Sequence, residues 1–310
     1  MFTLAHLSDP HLAGWALPGP GALVNKRAFG LLSWQFRRRR IHLPAVLQAL
    51  IDDLRGAAPD HTVITGDVVN ISLPDEFERA TQWLGAFGPA EALTVIPGNH
   101  DAYIELPWET TIGRWRPYMR DEGTAETVGT TRFEGPDDFP FVRRRGRIAI
   151  VGTSSACAMP IGSAGGRLGG PQIDRLRQRL DELGRENMFR VVLIHHPPFV
   201  DPSHPRKELE DVAELRAAIA ASGAELVLHG HTHRSSLNRI SVPEGAAPVI
   251  GVASASARAW GKKDPARYHL YRIEQSGSGW SVEVEVRSVA DRLDRFERTG
   301  GFRLEVPLAA

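Results

Sequence analysis

Asp, Asn and His crowd into five separated short stretches of this 310-residue chain. They read Asp9-Pro10-His11, Gly66-Asp67, Gly98-Asn99-His100-Asp101, His195-His196-Pro197-Pro198 and Gly230-His231-Thr232-His233. Carboxylate, amide-carbonyl and imidazole groups together suit Zn, Mn or Fe rather than an all-oxygen Ca site. Asp9 and His11 stand two apart, as do His231 and His233. On an extended strand end such a pair points the same way and reaches one ion. Asp67 follows a Thr-Gly turn, and its two oxygens can bridge two ions. Asn99 offers a neutral carbonyl oxygen from the turn at Pro97-Gly98. Two ions about 3.5–4 Å apart polarise a phosphoryl group and lower the pKa of a bridging water, whose hydroxide attacks phosphorus in line with the leaving oxygen. A general acid must protonate the departing alkoxide, and His100, next to Asn99, is the best-placed candidate.

The elements that must position these residues alternate between strand and helix. Apolar runs at 2–7, 61–65, 92–96, 147–152, 191–194 and 226–228 read as strands, and the site stretches follow them. Helices are predicted over 43–55, 74–87, 171–183 and 208–220, with Pro near three starts and Gly88 and Gly184 as stops. The last third turns to β, at 249–252, 268–273 and 281–286. Alternation followed by a β-rich tail predicts an α/β fold of two stacked mixed sheets flanked by helices. Without an internal repeat or a low-complexity linker, residues 1–310 are expected to form a single domain.

Composition excludes several classes. The chain is 42% hydrophobic and 24% charged, and Lys+Arg 37 balances Asp+Glu 37. That balance makes nucleic acid an unexpected partner. A single cysteine, Cys157, rules out an intrachain disulfide framework and favours the cytoplasm. The N-terminus lacks a signal-peptide pattern and no apolar run is long enough to span a bilayer.

The five motifs, in this order over residues 9–233, resemble the signature of the calcineurin-like metallophosphoesterases. The resemblance implies an αββα sandwich and a dinuclear centre of two divalent or trivalent ions, Mn, Fe or Zn. It implies that Asp9, His11 and His233 hold one ion, that Asn99, His195 and His231 hold the other, and that Asp67 bridges them. His100 then acts as the acid or transition-state stabiliser. Gly66-Asp67-Val68-Val69-Asn70 with Pro74-x-Glu76-Phe77 is more similar to the phosphodiesterase branch, which includes class III cyclic nucleotide phosphodiesterases and glycerophosphodiesterases, than to the protein phosphatases. The latter carry a carboxylate where this chain has Asn70, so Asp101 or a backbone carbonyl must orient His100 here.

The expected activity is phosphodiester hydrolysis of a small or lipid-linked phosphate ester by a metal-bridging hydroxide. Two rivals are a UDP-acyl-sugar (lipid precursor) pyrophosphatase and a non-catalytic scaffold that keeps the fold. Residues 14–42 form a cap insertion after the first motif, with Phe29, Leu32 and Phe36 on one helical face and Arg37–Arg40 after them. Residues 15–40 could contact an anionic membrane surface, at the inner face of the membrane, or the substrate. The plainer reading is an amphipathic helix packed on the body, with its arginines solvated. Residues 201–207 read as a lid segment beside His195. His6, His42, His61, His204 and His269 read as packed core histidines, whereas His196 and His229 are split between supporting the ligands and simple packing.

Overall fold

Strand β1 (Phe2–Leu7) is buried along its second half and sits inside a sheet, between a parallel and an antiparallel neighbour. The computed structural model describes all residues except 15–17, 124, 126–132, 244, 278 and 308–310. The strands that follow are β2 (His61–Ile64), β3 (Leu93–Val95), β4 (Phe141–Arg145), β5 (Ile148–Gly152), β6 (Phe189–Leu193) and β7 (Leu226–His229). The last five are β8 (Ser236–Val242), β9 (Gly245–Gly251), β10 (Arg267–Ser276), β11 (Gly279–Val289) and β12 (Phe296–Pro307). They form two six-stranded mixed sheets, ordered β12-β11-β10-β1-β2-β3 and β4-β5-β6-β7-β9-β8.

Period-two patterning explains the layers. In the second sheet Ile148, Ile150, Val191, Leu193, Leu226 and Leu228 join the core that contains the first sheet. The residues between them, Ala149, Val151, Val192 and Val227, join a separate cluster with Leu176, Leu180, Leu215 and Ile219. Those four leucines and isoleucines belong to α4 (Gly170–Arg185) and α5 (Val212–Ser222), which therefore cover the outer face. Phe189 of β6 meets Trp280 of β11 with ring centroids 5.3 Å apart, so the inner faces touch. On the first sheet α2 (Pro44–Ala57) packs outside, where Asp53 accepts from Arg287 at 2.6 and 2.7 Å. The architecture is the expected α/β one: two mixed sheets face to face, helices outside both.

Four predicted helices are present with small shifts at their ends. The predicted 208–220 helix begins later, at Val212, because Leu209 pairs with Gly166 in an isolated bridge and Asp211 accepts from the Leu168 and Gly169 amides. Helix α3 (Pro74–Phe87) lies as read, and Glu76 in its first turn accepts from the Asn70, Ile71 and Leu73 amides at 2.7, 3.0 and 2.9 Å. That carboxylate freezes the loop that follows Asp67.

Within the insertion, α1 (Arg27–Phe36) is a helix, but it faces the opposite way from a simple amphipathic reading. Phe29, Leu32 and Phe36 are 60%, 54% and 74% exposed, while Trp34 is buried. Arg27 is also buried, donating from Nε to Ile71 O at 3.0 Å and from Nη2 to Ser72 O. The plainer reading, an apolar face packed on the body, is thus reversed for Phe29, Leu32 and Phe36, which meet solvent while Arg27 is buried. Gly30 makes the close approach feasible, since a Cβ there would lie 3.1 Å from the Tyr103 hydroxyl and overlap Ile71.

Candidate metal centre

Strand ends from both sheets converge on one point. Asp9 follows β1, Asp67 follows β2 and Asn99 follows β3; His195 follows β6 and His231 follows β7. The sequence predicts that the spacing of two works through an extended strand end, and the structure differs. Asp9, His11, Asp67, His231 and His233 have φ of 52°, 43°, 55°, 65° and 54°. The chain turns through left-handed residues instead, and each costs about 1 kcal/mol or more unless its surroundings impose it. Here they do: the Asp9, His11 and Leu12 amides donate to the Gly66, Asp67 and Val68 carbonyls at 3.0, 3.1 and 2.9 Å. The loop after β1 is clamped along the loop after β2.

Two glycines set the spacing between turns. Gly66 has φ of 93°, and a Cβ on it would lie 2.5 Å from the Gly98 nitrogen. A Cβ on Gly98 would overlap the Asp67 carboxylate. Asp101 then ties the turns together, accepting from the Val69 and Gly98 amides at 2.9 and 2.8 Å. Burial, then the nearby Asp67 charge, pushes its carboxyl up to about 8.

Two groups of ligand-type atoms result. Asp9, His11 and His233 form one, and Asp67, His195 and His231 form the other. Asn99 joins the second, its Oδ1 lying 3.1 Å from His195 Nε2 and 2.9 Å from His231 Nδ1. Asp67 Oδ2 is 3.5 Å from His195 Nε2 and 3.8 Å from His11 Nε2, so it faces both groups. Backbone carbonyls fix the tautomers. His195 Nδ1 donates to Thr65 O at 2.6 Å and His11 Nδ1 to Val69 O at 3.4 Å, which leaves each Nε2 aimed inward as the atom that can bind an ion.

The donor set fits cations. His11 Nε2 and His233 Nε2 are 3.4 Å apart, and the buried Asp9 Oδ1 is 3.0 Å from His233 Nε2. Imidazole nitrogens and a carboxylate oxygen packed this closely repel one another unless a proton or a metal cation lies between them. His195 shows the same demand: burial lowers its proton affinity, but Asp67 and Asp9 outweigh that and hold it up to about 9.

The sequence profile of the calcineurin-like phosphoesterases matches residues 2–235. The chain belongs to that family. It is 26% identical over 240 residues to a probable cyclic nucleotide phosphodiesterase of Synechococcus sp., covering 76% of this chain and 80% of that one. It is 33% identical over 100 residues to the glycerophosphodiester phosphodiesterase GpdQ of Enterobacter lignolyticus, covering 32% of this chain and 29% of that one. In fold it is similar to a dimetal phosphatase from Danio rerio, with a TM-score of 0.57 at 13% identity over 98% of this chain and 99% of the other.

Membership makes the chain a metallophosphoesterase, a hydrolase of phosphoric esters, and its two groups of ligand-type atoms are candidates to hold a pair of ions. His100, the expected acid, lies beside the two groups. Its amide donates to Asp67 Oδ1 at 2.7 Å, its Nδ1 donates to the Asn70 carbonyl, and its ring stacks on Tyr103. The carbonyl, not Asp101, orients it. Asn70 in turn donates from Nδ2 to Leu12 O at 2.7 Å.

Three groups near the metallophosphoesterase centre escaped the sequence reading. His42, read as a core histidine, packs 4.4 Å from His11 and 5.5 Å from His233 and bonds Ser256 Oγ at 2.9 Å. Ser254 Oγ donates to Asp9 O at 2.7 Å. Arg38, within an arginine run that reads either as solvated or as contacting substrate or membrane, enters the site. Its Nη1 is 3.1 and 3.0 Å from the two nitrogens of His100, and its Nη2 is 3.0 and 2.9 Å from those of His11. Equal reach to both nitrogens places the guanidinium over each ring face, since an in-plane approach would collide with Cε1. Burial, then Arg38, lowers His100 to about 4. The signal for Arg38 was its position in the insertion directly after the first motif.

The other histidines sort cleanly. His6, His61 and His269 are buried with Thr65, Thr94 and Tyr271 as partners. His196 packs on His231 at 4.4 Å and bonds Ser155 Oγ and Ala164 O, which supports a ligand-type neighbour. His229 bonds Gly230 O at 3.1 Å. His204, expected in the core, is exposed and sits 3.0 Å from Asp201. No helix among the described residues is long and apolar enough to cross a membrane.

Proposed function

We propose that this metallophosphoesterase is a phosphodiesterase acting on a small phosphate ester. The observation that carries the reading is Asp67 Oδ2, placed between the two ligand groups. Asp9, His11 and His233 would hold one ion, Asn99, His195 and His231 the other, and Asp67 both. When bound, the ions, Mn, Fe or Zn, supply Lewis-acid polarisation of the phosphoryl oxygen and an acidified water. The protein's own groups do the rest. Asn70 O keeps the proton of His100 on Nδ1, so Nε2 is the atom that handles the proton of the leaving oxygen. Arg38 offers a fixed cation to the phosphoryl oxygens, and Arg suits that role because its donors are forked and permanently charged. An arriving phosphate diester offsets the Arg38 charge, which raises the proton affinity of His100 at the moment an acid is needed.

The relatives support the diester reading, being named for cyclic nucleotides and glycerophosphodiesters. Bis-p-nitrophenyl phosphate should be hydrolysed by the metal-loaded protein, and Asp67→Ala should lose both turnover and bound metal. Full activity in that variant removes the assignment. A lipid-linked substrate or a lipid-precursor diphosphate is favoured by one feature, the exposed Phe29 at the cavity mouth in line with Leu32 and Phe36. Turnover of short-chain against long-chain glycerophosphodiesters decides between them: equal kcat/KM would rule out an acyl contact on α1.

A further inference from the structure

The cavity over the two ligand groups has a volume of about 370 Å³. Besides ligand side chains, its lining includes five cations, Arg37, Arg38, Lys207, Arg258 and Lys263. These cations arrive from three unrelated segments: the end of α1, the turn over Pro205–Lys207, and the loop between β9 and β10. None of them pairs with a carboxylate within 4 Å among the described residues. Lys263 Nζ donates to the Thr232 carbonyl at 2.9 Å, and Arg258 Nε is buried with no acceptor. Burial, then Lys207, pulls Lys263 down to about 8, a sign of how crowded the positive charge is.

A plain diester brings one negative charge. Two divalent ions held by two carboxylates would balance that charge together with a bridging hydroxide, and Arg38 sits over the same point. The remaining cations, Arg37, Lys207, Arg258 and Lys263, therefore face an anion that a plain diester does not provide. They line the wall of a cavity, not a flat face, which suits a small ligand better than a bilayer or a polymer. Phe29 and Trp260 flank them with exposed apolar surface for the organic part.

We propose that Arg37, Lys207, Arg258 and Lys263 form a second phosphate site, so that the substrate carries another phosphate a few bonds from the scissile one. This rests on the phosphodiesterase reading and names its substrate class: a diphosphate ester, or a diester bearing a terminal phosphate. Arg38 serves the scissile group and the outer cations serve the second. The recognition is charge-assisted hydrogen bonding to several oxygens at once.

The test is calorimetric binding of inorganic pyrophosphate and of orthophosphate to the metal-loaded full chain. The affinity ratio, pyrophosphate over orthophosphate, should fall about tenfold or more in Lys207→Met/Arg258→Met. It should persist in Lys207→Arg/Arg258→Lys, which keeps the charges. Arg234→Met is the control, because Arg234 is exposed and borders the neighbouring cavity rather than this one. There the ratio should change less than about twofold. Circular dichroism and the melting midpoint show whether each variant is folded, and a misfolded double variant is replaced by the singles, which should each show part of the loss. An equal loss in Arg234→Met, or an unchanged ratio in the folded charge-removing variants, overturns the second site. Hydrolysis of bis-p-nitrophenyl phosphate separates the two readings: turnover by the unaltered protein with an unchanged ratio in the charge-removing variants removes only the second site, whereas no turnover by the metal-loaded unaltered protein removes the phosphodiesterase reading itself.

Discussion

In the loops after β1, β2 and β7 the backbone is unusual and the side chains are buried. In α1, on the other wall of the cavity, the backbone is an ordinary helix and several apolar side chains are exposed. Asp9, Asp67 and His231 occupy left-handed φ, and each is held there by neighbouring turns. Phe29, Leu32 and Phe36 hold a regular helical stripe and meet solvent. The first region buries polar atoms that only cations satisfy. The second leaves uncovered an apolar surface that burial would favour. Chemistry is fixed where the backbone is over-determined, and selectivity has room to vary where the side chains are free.

Breaking the contrast from the rigid side should give the largest effects. His100→Ala should keep its metal content and lose about 10²–10⁴-fold in kcat, measured by steady-state hydrolysis and elemental analysis. Loss of metal in that variant would mean that His100 is a ligand rather than a proton-handling group. Within α1 the same contrast recurs between faces. Trp34 is only 7% exposed, so Trp34→Ala should cost about 3–5 kcal/mol in denaturant titration. Gly98→Ala drives a methyl into Asp67 and should cost about 1–3 kcal/mol while weakening metal binding.

The next effect follows from proton linkage. In the metal-free chain His195 stays charged up to about 9, whereas a ligand imidazole must be neutral. Each ion bound there displaces that proton. Metal affinity, read by competition with a chelator, should therefore rise about tenfold per pH unit from 7 towards 9 and then level off. A flat profile would show that His195 is already neutral without metal. The smallest effect belongs to the exposed stripe: Leu32→Ser with Phe36→Ser should change stability by no more than about 0.5 kcal/mol per site. A large loss would mean that the exposed face of α1 packs against a partner.

The sequence displayed the candidate site almost whole because its residues are rare chemical types placed just after apolar runs. Every residue expected as a ligand lies within the cluster. What it could not display was direction. The arginine run reads as solvated or as facing substrate or membrane, and nothing in it singles out Arg38, which turns inward because α1 is pinned by Arg27 and Gly30 against the loop at 71–72. His42 has no motif around it and reaches the centre only through its bond to Ser256, 214 positions away. Strands β4, β8 and β12 are hidden in the sequence for a related reason. β8 is mostly exposed, β12 carries Gly300-Gly301 and exposed charges, and β4 contains Arg143-Arg144-Arg145, so none shows the apolar alternation that marks a strand. The Arg143 guanidinium is nonetheless buried, donating to the Leu93, Tyr118 and Ala90 carbonyls.

Strand β1 takes one neighbour from early in the chain and the other from near its end. Phe2 to His6 pair with β10 residue by residue, from Ile273 to His269. A protein shortened after residue 235 would keep every expected ligand, yet its first strand would present a bare row of amides and carbonyls on that side. Such an edge recruits strands from other molecules. The last quarter of the polypeptide, which supplies no ligand, is what should keep the first one from aggregating.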